Sequence, residues 1–213
     1  GNNLFNPALV GRAALLVAFP AQMTTWPKVG QTFAYLDAET GATPLSIMKQ
    51  AIKSGDASVL DRLPDSLSLF LGNHPDGAGA MGEICALALL LGLAYMLWKK
   101  IITWHIPVSI IVTVFVLAGL MHVVNPVYAD PVSVVLSGGL MLGAIFMATD
   151  YVTSPMTHRG QLIYGVAIGA LTVIIRNWGA YPEGMSFAIL IMNAFTPLIN
   201  NYVKPKRFGE VAK

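Results

Sequence analysis

Ten consecutive residues, Asp37-Ala38-Glu39-Thr40-Gly41-Ala42-Thr43-Pro44-Leu45-Ser46, hold the side chains best placed to do chemistry. Thr43 falls where a helix N-cap belongs, and Pro44 takes the first helical position, where its missing N–H costs nothing. Leu45, Met48 and Ile52 then recur at helical spacing until Lys53-Ser54-Gly55 closes the segment. A hydroxyl at an N-cap faces unpaired backbone N–H groups and the positive end of the helix dipole, a geometry that suits a phosphate. Gly41 and Ala42 keep the approach small, so that a bulky phosphorylated group can lie against the backbone. An ordinary threonine cap with no ligand explains the same residues.

Two carboxylates are the next candidates. Glu83 is expected to open the first full-length apolar helix, and Asp150 to lie near the end of the third. Acidic side chains at the ends of membrane helices can belong to an ion or proton path. They serve equally as a first-turn dipole partner and a turn residue. Arg12 sits in a short apolar helix and needs a partner, either a phosphate or a carboxylate, with a structural ion pair the simpler reading. His122 and Asn193 read as interhelical hydrogen-bond partners. The single cysteine, Cys85, excludes an internal disulfide and any iron–sulfur cluster held by this chain alone. No Gly-x-Gly-x-x-Gly fingerprint is present, no catalytic residue is identified, and no set of metal ligands is expected.

The elements that must position these residues follow from hydropathy. Of 213 residues, 55% are hydrophobic and only 11% charged, with a mean hydropathy of +0.63. A soluble domain carries about a quarter charged residues, so this composition belongs in lipid. The net charge of +2 is too small for a nucleic-acid footprint, and no basic stripe with interleaved aromatics appears. The expected fold is all-α: a polytopic membrane helix bundle with a short broken N-terminal helix and an extramembrane helix-loop segment. Residues 1–20 form the short membrane helix, because a straight crossing needs about 20 apolar residues. Residues 21–80 collect charges and turn signals and form an extramembrane excursion too long for a plain connector. Five membrane helices are expected within 81–203, at 81–98, 104–124, 131–149, 161–177 and 184–203, and a basic tail at 204–213. With no initiator Met, the opening Gly1-Asn2-Asn3 reads as the middle of a longer chain, whose N-terminal helices are expected to precede it.

Lys and Arg in the short loops set the orientation. Lys99, Lys100, Arg159, Lys204, Lys206, Arg207 and Lys213 share one side, against Arg176 with Asp130 and Glu183 on the other. The basic side and the C-terminus are expected to be cytoplasmic, and the 21–80 excursion with Thr43 to face outward.

Several motifs in order then resemble a known family. They are Gly1 to Arg12, Asp37 to Thr43, Gly82-Glu83 ahead of an apolar run, Phe146 to Pro155, Tyr181-Pro182-Glu183-Gly184-Met185, and Asn193 to Lys206. Together these resemble the D subunits of Rnf-type electron transport complexes across essentially the whole chain. The homologous B subunits of sodium-translocating NADH:quinone reductases share most of them. Thr153-Ser154-Pro155 and Thr196-Pro197-Leu198-Ile199-Asn200-Asn201-Tyr202 look more like the Rnf form.

The resemblance implies that Thr43 carries FMN through a phosphoester bond, with Gly41, Ala42, Asp37 and Thr40 around it. An unactivated threonine hydroxyl is a poor nucleophile, so attachment is the work of a separate flavin transferase. The B-subunit relatives hold a second, non-covalent flavin, and whether this chain holds one, riboflavin or FMN, stays open. Trp26, Phe33 and Tyr35 can stack on an isoalloxazine ring or simply pack the excursion. The implied function is that of a membrane subunit of an ion-translocating ferredoxin:NAD+ oxidoreductase, in a bacterial or archaeal plasma membrane. Such a subunit moves electrons on FMN and couples them to Na+ or H+ transport. It is inactive alone and works beside other subunits, among them a flavin subunit on the outer face. The alternatives are the equivalent subunit of a sodium-translocating NADH:quinone reductase, and a flavin-free solute channel. The channel is suggested by the Asn6-Pro7-Ala8 half-helix and the glycine-rich helices.

Overall fold

The computed structural model describes residues 3–28, 39–73, 77–181 and 183–204. The first helix, α1 (Pro7–Ala18), starts at Asn6, whose Oδ1 accepts the N–H of Ala8 at 3.0 Å. It ends ahead of Pro20, which opens the five-residue α2 (Pro20–Thr24). A proline cannot continue the preceding helix, so the chain turns there.

The excursion is compact. The two-residue strands β1 (Trp26–Pro27) and β2 (Thr40–Gly41) pair antiparallel, Trp26 opposite Gly41. Helix α3 (Pro44–Ser54) follows and stops at Gly55, whose φ of +70° favours a residue without Cβ. A 3-10 turn (Ala57–Arg62) and α4 (Ser66–Leu71) complete it. Leu45 and Met48 are buried on α3, with Ala129 and the flanking Leu60, Leu63 and Val134.

The bundle is built from α5 (Ala86–Trp98), α6 (His105–Val124), α9 (His158–Trp178) and α10 (Met185–Tyr202), with a broken segment between α6 and α9. Among the described residues, α6 and α9 are long and apolar enough to cross a membrane; α5 has 13 residues. Leu91 on α5 and Leu120, Val123 and Val124 on α6 expose large apolar side chains, as an all-α bundle bathed in lipid requires. Its interior is equally apolar: Ile110 and Val114 of α6 meet Leu140, Ile145, Ile168 and Ile189.

Two expected helix bounds change. The helix expected from Met81 begins at Ala86, so Glu83 lies in the turn before it instead of opening it. Its side chain explains this, because Glu83 Oε1 accepts the N–H of Ala80 and closes the turn locally. The helix expected over 131–149 is broken into α7 (Pro131–Leu136), a three-residue turn α8 (Leu140–Leu142) and a π-type turn (Gly143–Met147). Gly138 sits at φ +66°, a conformation a helix cannot contain. Asp150, expected near the end of that helix, lies in the turn beyond it, where its Oδ2 accepts the Thr153 hydroxyl at 3.0 Å.

Helices α6 and α9 make the tightest approach in the bundle. A methyl group at Gly165 would overlap Ser109 Oγ, and one at Gly169 would lie 2.8 Å from Thr113 Cβ. The two facing hydroxyls bond inside α6, Ser109 to Ile106 O and Thr113 to Ser109 O, so they sit against glycine without needing another partner. Gly169→Val is expected to overpack this seam and to cost about 1–3 kcal/mol. It should lower the thermal midpoint in detergent, whereas Gly11→Ala, which meets nothing within 4 Å, should leave it unchanged.

Candidate functional site

Thr43 has the backbone of an N-cap, with φ −76° and ψ 151°, and its Oγ1 accepts the N–H of Ser46 at 3.2 Å. The cap is closed by backbone as well: Ser46 and Ile47 N–H both reach Thr43 O, and Ser46 Oγ donates to it at 2.7 Å. Pro44 offers no N–H. The first turn of α3 therefore satisfies itself to a large extent, and charge compensation for an anion at Thr43 falls to side chains.

A cavity of about 340 Å³ opens beside Thr43, within the usual range of roughly 300–1,000 Å³ for small-molecule sites. Gly41, Ala42 and Thr43 form one wall, Trp26 and Tyr181 add aromatic faces, and Arg12, Glu83 and Glu183 bring charge. Ser137 and Gly138, at the break between α7 and α8, form another part of the lining. The site is thus assembled from α1, the excursion, the helix break and the loop before α10.

The β1–β2 pairing holds Gly41 against Trp26, and Ala78 N–H donates to Ala42 O at 3.2 Å. Thr40 lies in β2 opposite Pro27 and does not line the cavity. Next to it Lys28 Nζ bonds Glu39 Oε2 at 2.6 Å, a hydrogen bond that, together with the ammonium's charge, holds the Glu39 carboxyl below its ordinary value. Asp37, Phe33 and Tyr35 lie outside the described residues.

Arg12 finds the carboxylate it needs in Glu183, with which it forms an ion pair. Glu83 has one oxygen, Oε2, that is buried without a hydrogen-bond partner, and Ser137 Oγ, in a residue 1% exposed, is likewise unpaired. Glu83 Oε2 and Glu183 Oε1 both crowd Gly139, where any Cβ would strike them. Arg176, buried on α9, sends Nη1 to Val134 O at 2.8 Å and Nη2 to Ser137 O at 3.0 Å. Two arginines and two glutamates thus make a near-neutral group beneath the cavity.

The other sequence candidates lie elsewhere. Asp150 does not line this cavity, so the structure does not bring it together with Glu83. Asn193 meets the Tyr164 hydroxyl at 2.6 Å and joins α10 to α9. His122, in the last turn of α6, instead contacts Tyr128 O at 2.6 Å, in the loop that follows and not across helices. No group of three or more His, Cys, Asp or Glu placed to hold a metal occurs among the described residues.

Arg176, Glu183 and Ser137 were not singled out by sequence reasoning, although a signal for one existed. Arg176 is the one charge inside the long apolar stretch 161–177, and an ionisable residue there marks a specific partner. Lys49 carries no such signal. It is 8% exposed and donates to Gly179 O, and to Tyr181 O at 2.9 Å, so it ties α3 to the loop that carries Glu183. Burial, with repulsion from Lys53 second, lowers its pKa from the ordinary lysine value. Lys49→Met is expected to strand both carbonyls and cost about 1–3 kcal/mol in denaturant titrations of the detergent-solubilised protein. Lys53→Met should change little.

Comparison with known proteins places this geometry. Residues 1–209 match the model of the NQR2, RnfD, RnfE family. The D subunit of a proton-translocating ferredoxin:NAD(+) oxidoreductase complex from Clostridium ljungdahlii is 44% identical, over 98% of this chain and 62% of its own length. The D subunit of a Na(+)-translocating ferredoxin:NAD(+) oxidoreductase complex from Acetobacterium woodii is also 44% identical, over 98% of this chain and 60% of its own. The D subunit of an ion-translocating oxidoreductase complex from Stutzerimonas stutzeri is 40% identical over the whole chain and 65% of its own length. The chain thus spans less than two thirds of these relatives.

Proposed function

The chain belongs to the NQR2, RnfD, RnfE family, and from that premise we propose that it is the flavin-bearing membrane subunit of an ion-translocating ferredoxin:NAD+ oxidoreductase. FMN is joined to Thr43 through a phosphoester. The observation that carries this reading is the cavity beside Thr43, which offers a hydroxyl at one wall, small residues next to it, two aromatic faces and the cation of Arg12. The unpaired Ser137 hydroxyl and Glu83 oxygen supply polar atoms that a bound group would satisfy.

In this arrangement Thr43 holds the phosphate, Gly41 and Ala42 leave room for it, and Arg12 offsets its charge. Trp26 and Tyr181 bound the ring; Tyr181 is backed by Phe187 at a centroid distance of 5.7 Å. Thr40, in β2, precedes Gly41 and holds the strand that leads to Thr43. A flavin so placed would supply electron transfer, with the protein contributing its orientation and electrostatics. A separate transferase attaches it, and a second flavin subunit on the outer face exchanges electrons with it. Because two relatives of equal identity are named for different ions, the ion is given as Na+ or H+, with Glu83 and Asp150 the candidate carboxylates of its path. The quinone-reductase equivalent is the less favoured assignment, since two relatives at 44% identity are named for ferredoxin and NAD+.

Thr43→Ala is expected to abolish flavin fluorescence of this chain on a denaturing gel while the complex still assembles, because losing a cap hydroxyl costs only about 1 kcal/mol. Thr43→Ser keeps the oxygen and should keep part of the signal. A fluorescent alanine variant would disprove the attachment site.

The outward placement of Thr43 is tested by labelling with an impermeant thiol reagent in intact cells, in a Cys85→Ser background. Lys53→Cys should react and Arg159→Cys should not; both native side chains are exposed. The reverse pattern would invert the topology. The purified chain alone should not be reduced by NADH or reduced ferredoxin at the rate of the full complex.

A further inference from the structure

The charges beneath the cavity are unequally partnered. Arg12 from α1 is engaged by Glu183, from the loop before α10. Arg176, from α9, spends its two terminal nitrogens on the carbonyls of Val134 and Ser137. Among the described residues Glu83 has no ion pair of its own: Oε1 accepts the Ala80 N–H, and Oε2 is buried and unbonded. That free oxygen lies against Gly139, which Glu183 Oε1 also crowds. The Ser137 hydroxyl, 1% exposed and unpaired, lines the same cavity and marks it as built for a polar occupant.

With both carboxylates ionised these four charged side chains balance one another, and the phosphoester of a flavin at Thr43 adds one negative charge before any reduction. An electron added to a molecule in this cavity adds a further negative charge at short range and in surroundings of low dielectric, where Coulomb energies are several times those in water. A like charge nearby favours the neutral form of a carboxyl. Among the four charges, Glu83 is the one that can be neutralised without breaking an ion pair or uncapping a helix.

Resting on the Thr43 assignment, we propose that Glu83 is a redox-linked proton acceptor. It takes one proton from water when the flavin held at Thr43 gains an electron from a one-electron carrier in a neighbouring subunit. The bond formed is O–H on Glu83, and it breaks, returning the proton, when the electron leaves. The flavin is reduced and then reoxidised, and Glu83 itself is neither. Its role is to keep the net charge of the cavity constant, a positioning of charge and not a transfer of electrons.

The test is redox-difference infrared spectroscopy on the purified complex. Reduction of the wild type should produce a protonated-carboxyl band that shifts in D2O. Glu83→Gln should remove that band, and Asp61→Asn, exposed on the 3-10 turn of the excursion and outside the cavity lining, should keep it. Glu83→Asp retains the acid and should move the band, and it serves as the deciding variant if Glu83→Gln does not assemble. A difference spectrum unaltered by either Glu83 substitution overturns the proposal, as does a wild type without the band. In-gel flavin fluorescence of each sample separates the two levels. A wild-type chain without fluorescence defeats the Thr43 assignment and this inference together, whereas a fluorescent Glu83→Gln complex with its band intact defeats this inference alone.

Discussion

The guanidinium of Arg176 is the group on which the rest of the site depends. A helix broken inside an apolar bundle leaves carbonyl groups that lipid cannot satisfy. Arg176 reaches across from α9 and takes the carbonyls of Val134 and Ser137, at the end of α7. The chain can then turn through Gly138 at positive φ and restart at Leu140. Leu45 of α3 packs against Gly138, where a Cβ would overlap it. The break is therefore also the seat on which the excursion docks.

From that seat the remaining constraints follow in order. Once α3 is docked, Lys49 bonds the carbonyls of Gly179 and Tyr181 and fixes the loop ahead of α10. That loop carries Glu183, which captures Arg12 and so holds α1 to the rim of the cavity. Buried charges of this kind contribute little net stability, because desolvation offsets most of their attraction. Their effect is to select one arrangement of α1, α3, α9 and the loop, since any other leaves a charge or carbonyl unpaired.

The carboxylates Glu83, Glu183 and Asp150 fall into two separate groups in the bundle. Near the excursion are Arg12, Glu83, Arg176 and Glu183. Beyond the π-type turn, Asp150 and Thr153 form the other, with Thr196 donating to Thr153 O at 2.9 Å. Leu140, Ala144 and Ile145, all fully buried, occupy the segment between them. Glu83 and Asp150 thus occupy different environments, and the chemistry argued for one does not transfer to the other.

Much was legible in the sequence because it depends on local rules. The cap at Thr43, Pro44 at the first helical position and Gly55 at the end of α3 are dictated by backbone chemistry within a few residues. Composition alone required an apolar helical bundle. Motif order carried the family. What sequence could not reveal is what depends on partners far along the chain. Residues 131–149 read as one helix, because nothing local shows that Arg176 is available to satisfy a break at Gly138. Glu83 read as a helix-opening residue, because the Ala80 turn and the burial of Oε2 exist only once the excursion has folded back. Arg12 announced a need for a carboxylate without naming Glu183, 171 positions away. Hydropathy and propensity act over a few residues, whereas the pairing of buried charges is settled by which elements meet in space, and that is what the tertiary structure decided.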